Sequence, residues 1–313
     1  MAEAMALPSS RTVHSASIVV MDTIVTVQAI SELPPGEVDQ ALRQALGWFH
    51  EVERVCSRFD PDSEVFRLAS RVQAPVAVSP LLFEAIRFSL EVAALSGGAF
   101  DPTVGAAQVE RGFDRNYATG ERVVSPAAAG DATYKDVEID SRRRTVALRK
   151  PLLLDLGAVV KGMAVDLAAR SLAAFDAFSI DAGGDLYVKG RSAEGEPWRI
   201  GIEHPRQDGL IATLALEEGA VCTSGDYERP AARLAAKGEH HLLDPRRGLS
   251  PRQVVSCTVV APTAMVADAL STAAFVAGPE AGLRLLEEQG VDGMLVDREL
   301  RLSMTPQFNR WMA

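Results

Sequence analysis

The chain has 313 residues, of which 47% are hydrophobic and 24% charged, and a formal net charge of −10. That length supports a sizeable core in one large domain or two small ones, and the acidic balance argues against a nucleic-acid or anionic-membrane surface, where Lys and Arg must dominate. The cysteines Cys56, Cys222 and Cys257 are scattered without CxxC spacing, which argues against a disulfide framework or a thiolate zinc site and points to a reducing compartment.

Residues 1–16 read as a short flexible lead, with an acidic residue near the start, no long apolar core and no Cys to lipidate. The expectation is therefore a cytoplasmic chain without an export signal. No apolar run reaches the roughly 18 residues of a membrane span. The β-branched stretch 17–30 predicts a strand. Over 34–59, Val38, Leu42, Ala45, Leu46, Phe49, Val52 and Val55 have the three-four spacing of a long helix. A second helix is predicted over 79–98, with Ser79 as N-cap, Pro80 in its first turn and Gly97-Gly98 closing it. "PLLLDLGAVVKGMAVDLAARSLAAF" reads as an apolar strand, a Gly turn and a helix. The stretches 178–190 and 198–205 look like strands around a Gly-rich turn, and 210–226 suggests further pairing strands. A strand over 254–262 precedes a helix opened by Pro262-Thr263 and stopped by Gly278-Pro279; another helix and the hairpin "MLVDRELRLSMT" follow. Long helices among mixed strands predict an α+β fold. No linker divides the chain, so 17–313 reads as a single domain.

Several stretches could carry chemistry. Asp268 and Thr272, four apart on the last long helix, lie on one face with Ser271 beside them. A carboxylate and hydroxyls are hard oxygen ligands suited to Mg²⁺. By itself this spacing is more often a solvated stripe or an Arg-paired carboxylate; Ala264, Ala267, Ala269, Ala273 and Ala274 around it favour close approach. In "DLGAVVKGMAVD", Asp155 ends an apolar run, a Gly157-Ala158 turn follows, and Lys161 falls in the first helical turn, where backbone N–H groups attract phosphate. A packing turn with a surface Lys fits those residues equally well. "GGAFDPTVG" and "SIDAGGDLYVKG" place Gly where the chain passes close to something. "HHLLDPRRG" puts two of the 5 histidines at a turn, as a surface pair or as a general base. Walker A, G-x-G-x-x-G, HExxH and G-x-S-x-G patterns are all absent.

The order of the motifs is more specific than any one of them. "MDT", "SRFDPDSEVFRL", "GGAFDPTVG", "DLGAVVKGMAVD", "SIDAGGDLYVKG", "WRIGIEHP", "AVCTSGDYER", "HHLLDPRRG" and "ADALSTAAF" follow in succession, and from about Met21 to Phe308 the chain closely resembles the ApbE family of FAD:protein FMN transferases. The resemblance implies an α+β fold of two intertwined lobes with FAD between them. It further implies a Mg²⁺-dependent transfer of FMN from FAD to a Thr or Ser hydroxyl of an acceptor flavoprotein, with release of AMP. Carried over by motif, Asp268, Thr272 and the backbone carbonyl of Ala158 match metal ligands. Met21, Phe59, Phe100, Asp101, Asp155, Lys161 and Leu243 match positions lining the FAD site, and His241 matches the general base; Asp268 and His241 are then the catalytic pair.

Three places depart from the family pattern. "MDT" has Asp22 where Gly is usual, Met163 stands where an aromatic is common, and "AAQVERGFD" replaces the common proline-leucine continuation after "DPTVG". Two rival readings share the same residues. One is an FAD pyrophosphatase that gives FMN and AMP; the other is a flavin-binding protein without catalysis.

Overall fold

The computed structural model describes residues 12–117, 119–126, 130–227 and 239–313. Its frame is an eight-stranded, wholly antiparallel sheet. The strands are β1 (Thr12–Val20), β2 (Thr23–Ser31), β6 (Ala177–Ala182), β7 (Leu186–Lys189), β10 (Glu218–Gly225), β11 (Val254–Ala261), β12 (Asp292–Asp297) and β13 (Leu302–Met304), side by side in that order. A small sheet orders β3 (Val76–Ala77), β5 (Thr145–Leu148) and β4 (Val137–Asp140), and β8 (Trp198–Glu203) pairs with β9 (Leu210–Leu216) as a ribbon.

Both faces of the main sheet are covered over β7, β10, β11 and β12. On one lie helices α1 (Pro35–Cys56), α3 (Pro80–Leu95), α5 (Gly157–Ser171) and α6 (Ala264–Ala277), in a core containing Phe49, Ile86, Phe178, Cys222, Val259 and Phe275. On the other, the β8–β9 ribbon and Phe308 pack on Val188, Val221, Val260 and Met294. This explains why β11 is buried at every position and shows no alternation: each of its faces meets a hydrophobic layer. Short helices α2 (Glu64–Ala69) and α4 (Gly105–Glu110) and helix α7 (Pro279–Glu288) complete the set. Cys56, Cys222 and Cys257 are free and buried, and among the described residues no helix is long and apolar enough to cross a membrane.

The long helices follow the sequence closely. The spacing expected for the first returns as the buried residues of α1, the Ser79 hydroxyl accepts from Leu82 N to cap α3, and α6 stops at Gly278. Three expectations change. The stretch 17–30 is a hairpin, because Met21 (φ 55°) and Asp22 (φ 62°) form a two-residue left-handed turn between β1 and β2. Residues 12–16, expected to belong to the lead, are part of β1; residues 1–11 lie outside the described residues. "PLLLD" joins no sheet ladder. Its three leucines are buried, with Leu153 O accepting from Gly105 N and Asp155 N donating to Pro102 O. The ribbon partner of β9 is β8, while β10 belongs to the main sheet.

Candidate functional site

A cavity of about 670 Å³ opens between the start of α5, α6, the β1–β2 turn and the 241–245 loop. That is the size of a pocket for a small molecule or cofactor. All eleven residues that the resemblance assigns to the site line it: Met21, Phe59, Phe100, Asp101, Asp155, Ala158, Lys161, His241, Leu243, Asp268 and Thr272.

Its polar end is made where α5 and α6 cross. Gly162 permits the crossing, because a Cβ there would lie 2.4 Å from Ala264 O. The closeness lets Gly162 N donate to Asp268 Oδ2 at 3.3 Å, and Asp268 is only 6% exposed. Asp166 fixes the other side of the crossing by accepting from Ala264 N (2.8 Å) and Met265 N (3.0 Å), which caps α6 in place of an N-cap side chain. Burial pushes the Asp166 carboxyl above its ordinary pKa, against the pull of those two N–H groups.

Beside Asp268 runs a chain of hydroxyls. Ser271 Oγ donates to the Asp268 carbonyl at 2.8 Å, Ser224 Oγ lies 2.8 Å from Ser271 Oγ, and Thr272 Oγ1 lies 3.0 Å from Ser224 Oγ. With the Ser271 proton committed, a consistent order has Thr272 donating to Ser224 and Ser224 to Ser271. The Thr272 lone pairs then remain available toward the cavity. Ser271 is fully buried and is not on the cavity wall; Ser224, from β10, is. Among the described residues no three His, Cys, Asp or Glu side chains cluster as a metal site. One carboxylate with hydroxyl and carbonyl oxygens is a sparse, hard donor set. It suits Mg²⁺, which keeps waters and substrate oxygens as its other ligands, and it does not suit zinc.

Several lining residues are anchored by neighbours. Lys161 lies in the second turn of α5, one turn later than expected, and forms an ion pair with the buried Asp185. Asp155 Oδ2 accepts from Arg58 Nε at 2.8 Å and its Oδ1 accepts from Gly157 N at 3.0 Å, so this carboxylate fixes the entry to α5. The Arg58 guanidinium also stacks 3.9 Å from the Phe59 ring centroid, which aligns that ring at the wall. Asp101 turns both oxygens onto the chain: Oδ1 accepts from Thr103 N and Oγ1, and Oδ2 accepts from Tyr134 N. It shapes the loop at the cavity and has little left for a ligand.

The His241 loop is held on two sides. Gln108 Nε2 donates to His241 O, and the His241 ring meets Phe113 edge-on at 6.5 Å. Its neighbour His240 turns inward, with Nε2 2.9 Å from Pro251 O and its ring edge-on to Phe275. Of the pair, His241 therefore faces the cavity and His240 belongs to the interior. Arg58, Gln108, Asp185 and Ser224 had not stood out in the sequence. Asp185 and Ser224 fall inside quoted motifs, but nothing local marks them as partners of Lys161 and Thr272. Asp22 finds its explanation in the hairpin: the position has φ 62°, where Asp is among the few side chains that replace Gly readily.

The chain matches the model of the ApbE family over residues 21–295. It is 33% identical to a protein of Treponema pallidum named FAD:protein FMN transferase, with 93% of this chain and 86% of that one covered, and 30% identical to one of the same name from Klebsiella pneumoniae (83% and 78% covered). The crystal structure of the ApbE protein of Thermotoga maritima superposes with a TM-score of 0.83 at 29% identity, covering 96% of this chain and all of that one. The flavin transferase ApbE of Vibrio cholerae shares the fold, with a TM-score of 0.82 at 24% identity and 96% and 99% of the two chains covered. The motif order read from the sequence, the cavity those motifs build and the family match agree: this chain belongs to the ApbE family.

Proposed function

We propose that the protein is an FAD:protein FMN transferase. It would bind FAD in the 670 Å³ cavity, pass FMN to a Thr or Ser hydroxyl of an acceptor flavoprotein and release AMP. The observation that carries this reading is the convergence of residues scattered from Met21 to Thr272 on one cavity that has an oxygen-donor end and a histidine beside it. Asp268, Thr272 and the Ala158 carbonyl would hold Mg²⁺, which when bound neutralises charge on the pyrophosphate. The Asp268–Gly162 contact and the Ser224–Ser271 hydroxyl chain fix those ligands before the nucleotide arrives.

The chain's own residues supply the rest. Met21, Phe59, Phe100 and Leu243 form apolar wall for the flavin, and Arg58 with Asp155 keeps the Phe59 side of the wall rigid. His241 would take the proton of the acceptor hydroxyl. As the hydroxyl oxygen bonds to the FMN phosphorus, that phosphorus loses its bond to the bridging oxygen, which leaves with AMP. In such phosphoryl chemistry positioning and charge neutralisation do most of the work.

Incubation with FAD and Mg²⁺, with and without an acceptor flavoprotein, tests the reading. AMP release that needs the acceptor, together with FMN found covalently on the acceptor by mass spectrometry, is the expected result. Rapid AMP release to water alone would make the protein a pyrophosphatase, and FAD binding without turnover in either case would make it a flavin carrier.

A further inference from the structure

Asp185 brings a charge into the interior that its own turn does not need. It stands at the end of the β6–β7 turn, which is held without its side chain. Ala182 N donates to the Asp185 carbonyl at 2.9 Å, and Gly184 N donates to Asp181 Oδ1 at 3.0 Å. Gly183 (φ 66°) and Gly184 (φ 94°) supply the left-handed positions. The Asp185 carboxylate is 1% exposed, and its polar neighbours among the described residues are the Lys161 ammonium, at 2.5 Å, and the Cys222 thiol. A carboxylate so deep is costly unless a cation meets it, so its placement is explained by the lysine. The pair is lopsided. Lys161 lines the cavity, whereas Asp185 stands behind it and is not on the wall. Lys161 immediately precedes Gly162, whose N–H donates to Asp268, so it belongs to the oxygen-donor end of the cavity. Burial, then the charges of Asp185 and Asp268, push the Cys222 thiol up while Lys161 opposes them, which sets all three groups within reach of one sulfur. An ammonium on a four-carbon stem is flexible, and a fixed carboxylate behind it gives it one position. It has three N–H groups, so a single pairing does not exhaust it.

We propose that Asp185 is a positioning residue: it anchors the Lys161 ammonium at the oxygen-donor end of the cavity, where the ammonium meets the pyrophosphate of the bound dinucleotide. The pyrophosphate is the anionic part of FAD, so it is the part that a fixed cation recognises. The inference rests on the FAD-binding half of the transferase reading and not on transfer itself. Three variants test it. Asp185→Asn keeps the side-chain size and removes the charge. Lys161→Met keeps the stem and removes the ammonium, and the buried carboxylate can then take a proton. The double variant removes both charges and leaves no buried ion unpaired.

Affinities for FAD and for riboflavin, which has no phosphate, are read by flavin fluorescence titration at saturating Mg²⁺, and folding by thermal melting. Asp185→Asn should bind FAD about tenfold more weakly, the scale of one lost contact to a charged group, and riboflavin within about twofold of the parent. Lys161→Met should bind FAD at least as weakly. Adding Asp185→Asn to it should change FAD affinity by less than about twofold, because no ammonium remains to be positioned. Parental FAD affinity in either single variant would overturn the proposal. Tighter FAD binding by Asp185→Asn would also overturn it, since Asp185 would then only offset the lysine charge. Equal losses for FAD and riboflavin would reduce Asp185 to a structural role, and a further loss of FAD affinity in the double variant would show it acting apart from Lys161; either result overturns the proposal. If Asp185→Asn melts below the assay temperature, the comparison of Lys161→Met with the double variant decides. A parent that binds FAD but transfers nothing defeats the transferase reading alone, and the same titrations still decide this one. A parent that binds no FAD defeats both.

Discussion

Replacing Asp268 by alanine separates the cost of a buried carboxylate from its use. Asp268 is 6% exposed and the hydrogen bond it accepts from Gly162 N is long, 3.3 Å. A hydrogen bond to a charged group contributes about 1.5–3 kcal/mol, while taking a carboxylate out of water costs several kcal/mol. Alanine removes the burial penalty together with the interactions that offset it, and these oppose one another, so without divalent cation the variant should have a stability within about 2 kcal/mol of the parent. With Mg²⁺ at about a hundred times its Kd the parent should gain about 2.7 kcal/mol, which for a chain of this size is about 5 °C in melting temperature. The variant should gain almost nothing. Thermal melting across a Mg²⁺ titration, with and without FAD, makes the comparison. Coincident Mg²⁺ curves for parent and variant would refute the assignment of Asp268 as a metal ligand.

His241→Ala should slow transfer by about 10²–10⁴-fold, the usual worth of a general base, and leave the FAD Kd nearly unchanged; weakened binding with undiminished turnover of bound FAD would assign the ring to the cofactor instead. Gly162→Ala should lower the melting temperature, because the new Cβ meets Ala264 O at 2.4 Å and overpacking of this kind costs about 1–3 kcal/mol. An unchanged melt would mean that α5 and α6 do not approach so closely. His240 gives a pH signature. Burial lowers its pKa from 6.5, and its Nδ1 is buried without a hydrogen-bond partner among the described residues, so burial opposes a second ring proton. The unfolded chain takes that proton near pH 6.5 and the folded chain only at lower pH, so this stability is present above pH 6.5 and is lost as pH falls through the folded value. The melting-temperature difference between the parent and His240→Gln should therefore shift against the parent between pH 7.5 and pH 5.5; a constant difference would place His240 in water.

The features legible in the sequence were those written locally. Apolar spacing located α1, a serine–proline start located α3, and Pro262-Thr263 with Gly278 bracketed α6. The candidate site was legible through motif order, and all eleven of its residues reach one cavity. The features that escaped depend on distant partners. Arg58 and Asp155 are 97 positions apart, and Ser224 and Thr272 are 48 apart; no local pattern marks a residue whose role is set by such a neighbour. The first hairpin escapes a local pattern because Met21-Asp22 makes a left-handed turn without glycine, and "PLLLD" resembles a strand because a buried apolar run outside any ladder has the same composition as a ladder strand.

Anomalous diffraction from crystals grown with Mn²⁺ and FAD tests the central claim most directly. The account predicts a metal peak among the Asp268 carboxylate, the Thr272 hydroxyl and the Ala158 carbonyl, bridged to the dinucleotide phosphates, with the flavin against Phe59 and Phe100. A metal elsewhere, or FAD bound outside this cavity, would contradict it.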